Sequence, residues 1–234
     1  MSVKNYFILP ILLLLFISSL LGQEYQRNQD SNAILIIGAG AGGTAAAIQA
    51  ARMGVKVYLF SESPWLGGML TAAGVSAIDG NHQLPSGLWG EFRTKLYAHY
   101  GGPEALATGW VSNTHFEPKV GDSILKSMVQ YPNLKIYYNT KINRILQTHK
   151  GWKISYVSKD KLSHIEGAIL IDGTENGDVL PLVGAEFNVG MDAQSDTGEK
   201  EAPKNSNRIV QDLTYTLILK DLGRDAKQTE LVTK

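Results

Sequence analysis

The sequence predicts an α/β fold, a parallel sheet with an antiparallel three-stranded meander inserted into it, and three observations carry that expectation. A strand, a glycine-rich turn, a helix and a second strand follow one another between Ile34 and Glu62. Residues 140–147, 152–158 and 162–166 alternate apolar and polar side chains at period two, separated by turns around Lys150 and Asp160, as the strands of a meander do. Residues 134–138 and 168–172 enclose the meander as short, predominantly apolar runs of the parallel-strand type.

The first unit is the most informative. Residues 34–37, ILII, form an unbroken branched apolar run, which suits a strand buried on both faces. Gly38, Gly40 and Gly43 then stand at the G-x-G-x-x-G spacing, with Ala39 and Gly42 completing the turn. The first glycine permits the tight turn, the second lets backbone approach a pyrophosphate, and the third lets the helix sit close to the strand. Residues 44–53 supply that helix, alanine-rich on its inner side, and Gly54 stands where a C-terminal cap belongs. The second strand, 55–60, ends where such units carry an acid for the adenosine ribose; here that position is Ser61, and Glu62 comes one residue later. Either Glu62 swings in or Ser61 makes the weaker contact.

Composition excludes several classes. Lys plus Arg and Asp plus Glu number 22 each, so no electrostatic case exists for nucleic acid or an anionic membrane surface. Cysteine is absent, which rules out disulfides, thiolate metal sites, a cysteinyl flavin link and a redox-active disulfide. No His or carboxylate cluster shows metal-ligand spacing, so no metal is expected. Residues 1–22 join Lys4, a long apolar run and small residues at its end, the pattern of a secretory signal peptide; an uncleaved N-terminal anchor is the competing reading. The expected location is therefore secreted or periplasmic, with no integral membrane association once the leader is removed.

Past the second strand, residues 65–74 read WLGGMLTAAG, a small-residue stretch that lets backbone approach something bulky. Trp65 is expected to pack in the core rather than act as a lid. Residues 86–100 place Leu88, Trp89, Phe92, Leu96 and Tyr97 at helical spacing, with Ser86 as its cap. Residues 117–130 give another amphipathic helix, with Val120, Ile124, Leu125 and Met128 inward and Pro118 at its first position.

With these motifs in view, the chain resembles the FAD-dependent oxidoreductases of the glutathione-reductase type. More narrowly it is similar to a secreted bacterial, xanthan-lyase-like group, through Leu66 to Gly74, Phe116-Glu117-Pro118 and the segment Asp172-Gly173-Thr174 with Asp178 after it. The departure is Gly173, where the family has alanine, a change between two small residues that should be tolerated. The resemblance implies a Rossmann-like FAD-binding domain over 31–190, a linker or loop over 191–207, and the start of a substrate-side domain over 208–234, opened by a strand at 209–219. It implies FAD as cofactor and corresponds to the N-terminal half of such an enzyme, with most of the catalytic half lying beyond it.

The cofactor-contacting set is then Gly38, Ala39, Gly40, Gly42 and Gly43 at the turn, Ser61 and Glu62 after the second strand, Gly67, Gly68 and Met69, then Ile142 in the meander, and Gly173, Thr174 and Asp178. The resemblance implies transfer of a hydride or electron pair between a small organic substrate and FAD. A non-catalytic flavin scaffold is one alternative. A NAD(P)-dependent dehydrogenase is another, disfavoured by the Gly67–Gly68 region and the meander. No catalytic acid or base is assigned. His82 and His115 read as surface or packing residues, and a covalent flavin link at His82 has no motif behind it. His99 suits a helix C-terminus, and His149 and His164 are expected to face solvent.

Overall fold

The computed structural model describes residues 32–78, 84–107, 112, 114–213 and 215–217. The leader and His82 lie outside the described residues. Seven strands and three long helices follow in the order β1 (Ile34–Ile37), α1 (Ala41–Arg52), β2 (Val57–Phe60), α2 (Gly87–Tyr100), α3 (Pro118–Met128), β3 (Leu134–Tyr137), β4 (Thr140–Thr148), β5 (Gly151–Ser158), β6 (Lys161–Gly167) and β7 (Ile169–Asp172). Two short helices follow, α4 (Leu180–Val183) and α5 (Gln194–Thr197).

β3, β2, β1 and β7 form a parallel four-stranded sheet in that order, and β4, β5 and β6 form a separate antiparallel sheet. The two sheets and the helices make three layers, and the side-chain alternation of the parallel strands shows why. Ile36, Val57 and Leu59 point into a core shared with α1, α2 and α3, through Ile48, Leu96 and Leu125. Leu35, Ile37, Tyr58 and Phe60 point to the opposite face, where the meander covers them with Ile145, Ile154, Tyr156 and Ile165. β1 is apolar throughout because both of its faces are covered.

The meander carries one irregularity that matters for the site. Ile142 pairs with Tyr156 and Arg144 with Ser155, so Asn143 is an extra residue in β4. Strict alternation would put Ile142 and Ile145 on opposite faces. The bulge turns both inward, because an inserted residue resets the alternation.

Several expectations need correction. α1 begins at Ala41, three residues earlier than the glycines suggested, with Gly40 as its N-cap. Ser86 stands at the α2 N-cap position but makes no side-chain cap hydrogen bond. His164 is half-buried, its Nδ1 2.8 Å from Ser155 Oγ on the neighbouring strand. Residues 191–207, expected as a linker or loop and not in need of correction, fold back on themselves, Asn207 N–H donating to Met191 O at 3.0 Å and Gln194 N–H to Pro203 O at 2.8 Å. The strand expected over 209–219 does not form among its described residues. Ile209, Leu213 and Tyr215 are exposed, and no neighbouring strand there takes up the backbone hydrogen bonds.

Candidate dinucleotide site

A cavity of about 490 Å³ opens at the C-terminal ends of β1, β2 and β7, beside the start of α1. Its base is the backbone of Gly38, Ala39 and Gly40, and its far wall comes from Gly173, Thr174, Glu175, Asn176 and Asp178 after β7. Phe60, Ser61, Glu62 and Trp65 line a third side, and Thr140, Ile142 and Leu182 close it over. β1 lies between β2 and β7, and the chain leaves β1 for α1, while from β7 it runs through the 173–179 turn into α4, which packs on β4. A crevice at such a divergence is where open parallel sheets bind ligands.

Glycine is required here by direct contact. Gly38 adopts φ +95°, and a Cβ on it would overlap the Gly173 carbonyl. A Cβ on Gly43 would overlap the Gly38 carbonyl oxygen and stand 3.4 Å from Gly173 Cα. At 173 a Cβ would lie 2.8 Å from both Gly38 O and Gly43 Cα, so alanine in this chain demands a backbone shift. Three chain segments thus meet backbone to backbone, which draws the α1 N-terminus against the sheet and aims its unpaired N–H groups at the cavity.

The Gly67–Gly68 segment is the second glycine element. Gly67 N–H donates to Ala39 O at 2.8 Å, and Gly67 and Gly40 form a parallel β-bridge. Both glycines have positive φ, +99° and +51°, before the short 3₁₀ turn Gly68–Leu70. Asp122 of α3 fixes this segment from below, Oδ1 accepting from Leu66 N–H at 2.9 Å and Oδ2 pairing with Lys126 at 2.7 Å. Lys126 also donates to Pro64 O at 2.8 Å.

Of the residues proposed from sequence, Gly38, Ala39, Gly40, Ser61, Glu62, Gly68, Ile142, Gly173, Thr174 and Asp178 line the cavity. Gly42 faces open space, Gly43 and Gly67 support the lining from behind, and Met69 is an exposed neighbour. Ser61 is buried, and its Oγ is engaged with Ser63 O at 2.8 Å and accepts from Ser63 N–H at 3.3 Å, whereas Glu62 is exposed at the cavity edge. Thr174 is likewise committed, its hydroxyl donating to Asp172 Oδ1 at 2.6 Å and accepting from Asp178 N–H at 2.8 Å. Trp65 is half-buried and lines the cavity, so Leu66, fully buried, is the core residue of that pair.

Sequence reasoning missed Thr140, Glu175, Asn176 and Leu182, which reach the cavity only through tertiary placement. Glu175 is the most consequential. Its Oε1 accepts from Met69 N–H at 3.3 Å and stands 2.7 Å from where a Cβ on Gly40 would be. Among the lining residues there is no Lys, Arg or His; the charged ones are Glu62, Glu175 and Asp178. An anion bound here would be held by backbone N–H groups and the helix dipole rather than by side-chain cations. Narrow backbone-lined space at the glycines, an apolar rim of Phe60, Trp65 and Ile142, and an acid at the end of β2 fit a dinucleotide.

The flavin-dependent monooxygenase PieE, solved in complex with FAD and substrate, is 15% identical with a TM-score of 0.50, over 69% of this chain and 33% of that one. BexE is similar at 15% identity and a TM-score of 0.50, over 69% and 35%. A flavoprotein/dehydrogenase from Cytophaga hutchinsonii is similar at 16% identity and a TM-score of 0.48, over 64% and 40%. These likenesses are of fold, and the chain spans less than half the length of the solved structures it matches, 23% of one and 45% of another. No curated protein matches the chain. The family model described as FAD dependent oxidoreductase matches residues 33–231, which takes in every element of both sheets. On that match the chain belongs to the FAD dependent oxidoreductase family, and FAD is its cofactor.

Proposed function

We propose that the chain is the FAD-binding portion of an enzyme that moves a hydride or an electron pair between a small organic substrate and FAD. The observation that carries this reading is the glycine cradle, in which the backbone at 38–40, the 67–69 turn and Gly173 converge on one cavity at the end of β1. The diphosphate would lie on the backbone at 38–40 and the start of α1. Glu62 would reach the adenosine ribose, since the Ser61 hydroxyl is held in its own turn. When bound, the isoalloxazine supplies the redox chemistry, and this chain supplies binding and orientation.

Two finer assignments go with it. The Leu66 to Gly74 and Phe116 to Pro118 motifs favour the secreted, xanthan-lyase-like group, and the composition of residues 1–22 favours export. Residues 208–234 are read as the start of a substrate-side domain. A second reading is flavin binding without turnover, since a fold alone does not establish activity.

The test is the visible spectrum of residues 23–234 after incubation with FAD and desalting, beside the Gly40→Trp variant. Gly40 has φ −62°, so tryptophan fits the backbone while its ring fills the cavity. Yellow colour retained by the parent and lost in the variant is the expected result. A folded parent that retains none, with no retention restored by neutralising an acid of the cavity, overturns the proposal for this chain. Bleaching of bound flavin by an added organic donor would separate enzyme from scaffold.

A further inference from the structure

The cavity contains one charged group in the place where a diphosphate would lie. Glu175 is exposed in the turn after β7, and its side chain crosses the cavity to the two glycine segments. Its Oε1 takes the Met69 N–H at 3.3 Å, lies 2.7 Å from an ideal Cβ on Gly40, and overlaps the position of one on Gly68. The carboxylate therefore fills the gap that the two missing side chains create. Carboxylate and phosphate seek the same backbone N–H donors, and no lysine, arginine or histidine lines the cavity to neutralise both.

The hold on Glu175 is slight. A single long hydrogen bond keeps it there, whereas Asp172, in the same turn, accepts from Thr174 N–H, Thr174 Oγ1 and Val179 N–H at 2.9, 2.6 and 3.3 Å. Asp172 builds the turn, and Glu175 projects from it. On the reading that FAD binds in this cavity, we propose that Glu175 is an internal anion occupying the diphosphate position. It must swing out before a dinucleotide seats, and in doing so it sets the affinity of the site. Once displaced, its charge remains beside the bound diphosphate and continues to oppose it.

The test is equilibrium binding of FAD, ADP and adenosine to the full chain and to Glu175→Gln and Glu175→Ala, by calorimetry and by quenching of flavin fluorescence, with a melting curve for each protein. Glu175→Gln keeps the shape and removes the charge. The expected result is at least tenfold tighter binding of FAD and ADP by both variants, little change for adenosine, and unchanged melting. FAD captured by the variants and not by the parent would support the same conclusion more strongly. Equal or weaker binding of FAD by Glu175→Gln overturns the inference and leaves the FAD site standing. Equal tightening for adenosine overturns it too, because adenosine carries no diphosphate to compete for the place of Glu175. No FAD binding by any of the three proteins overturns the FAD assignment and this inference together.

Discussion

Gly42 and Gly43 are adjacent in the first turn of α1, and the structure gives an added methyl at each an opposite fate. A Cβ on Gly42 meets nothing within 4 Å, while one on Gly43 would overlap the Gly38 carbonyl oxygen, lie 3.1 Å from its carbon and 3.4 Å from Gly173 Cα. All three atoms are backbone, so no side chain can rotate away. Relief requires α1 to withdraw from β1 by on the order of 1 Å, given contact optima of about 3.5–4.0 Å. That withdrawal also loosens Ala47, Ile48 and Ala51, which pack on the sheet. Overpacking of this kind costs about 3 kcal/mol, the upper part of its usual range. At ~2–4 °C per kcal/mol for a domain of this size, Gly43→Ala should melt roughly 6–12 °C lower. Gly42→Ala should be neutral or more stable by about 0.5 kcal/mol, since alanine is the better helix former. Thermal and urea unfolding of the two variants beside the parent decide the matter. A Gly43→Ala variant that unfolds within about 1 kcal/mol of Gly42→Ala would refute the tight backbone packing at this turn.

Asp122→Ala should cost about 2 kcal/mol by leaving the buried Leu66 N–H unpaired, and should weaken FAD binding by freeing the 67–69 turn; Asp122→Asn, which keeps the acceptor, should recover most of both. Urea titration and a flavin-binding isotherm give the two readouts. Burial, reinforced by its hydrogen bond to Tyr137, raises the Tyr156 phenol above its ordinary value. Because the folded value exceeds the unfolded one, this contribution is fully present below about pH 10 and is lost as pH rises beyond it. The urea midpoint of Tyr156→Phe should accordingly fall less steeply than the parent's in alkali, and parallel slopes would refute the assignment. Asp172→Ala should open the turn at 173–179 and speed amide exchange at Thr174 and Val179, while the β1–β7 pairing stays protected.

The parallel sheet and the glycine turn were legible because their signals are local. An ILII run, three spaced glycines and a second apolar strand specify their own geometry, and both faces of β1 are covered as an unbroken apolar strand requires. The start of α1 was misplaced because Gly42 and Gly43 look like turn residues, yet the first helical turn has unpaired N–H groups in any case and tolerates them. His164 was expected in solvent, and only the strand register sets it opposite Ser155. The strand expected over 209–219 is absent from its described residues for the converse reason: alternation describes how a strand would bury itself, and cannot supply the neighbour it would pair with. Glu175 was invisible because a glutamate in a glycine-containing loop has no periodicity to read. Its meaning comes from Gly40 and Gly68, more than a hundred positions away in the chain.

The absence of side-chain cations from the cavity lining makes the remaining geometry intelligible. A site that held a diphosphate with arginine could tolerate loose backbone, since a long side chain adapts its reach. On the proposed reading the donors would be main-chain N–H groups at the start of α1 and at the Gly68–Met69 turn, whose positions are fixed by how closely three segments approach. That explains why glycine recurs where segments cross: at 38, 43 and 173 it sets the depth of α1 against the sheet, and at 40, 67 and 68 it joins the two turns. It also explains the attention given to the second turn, anchored to α3 by a buried carboxylate although it carries no chemistry of its own. On the proposed reading, binding strength follows from backbone placement, and residues that line no part of the cavity, Gly43 and Asp122 among them, help to set it.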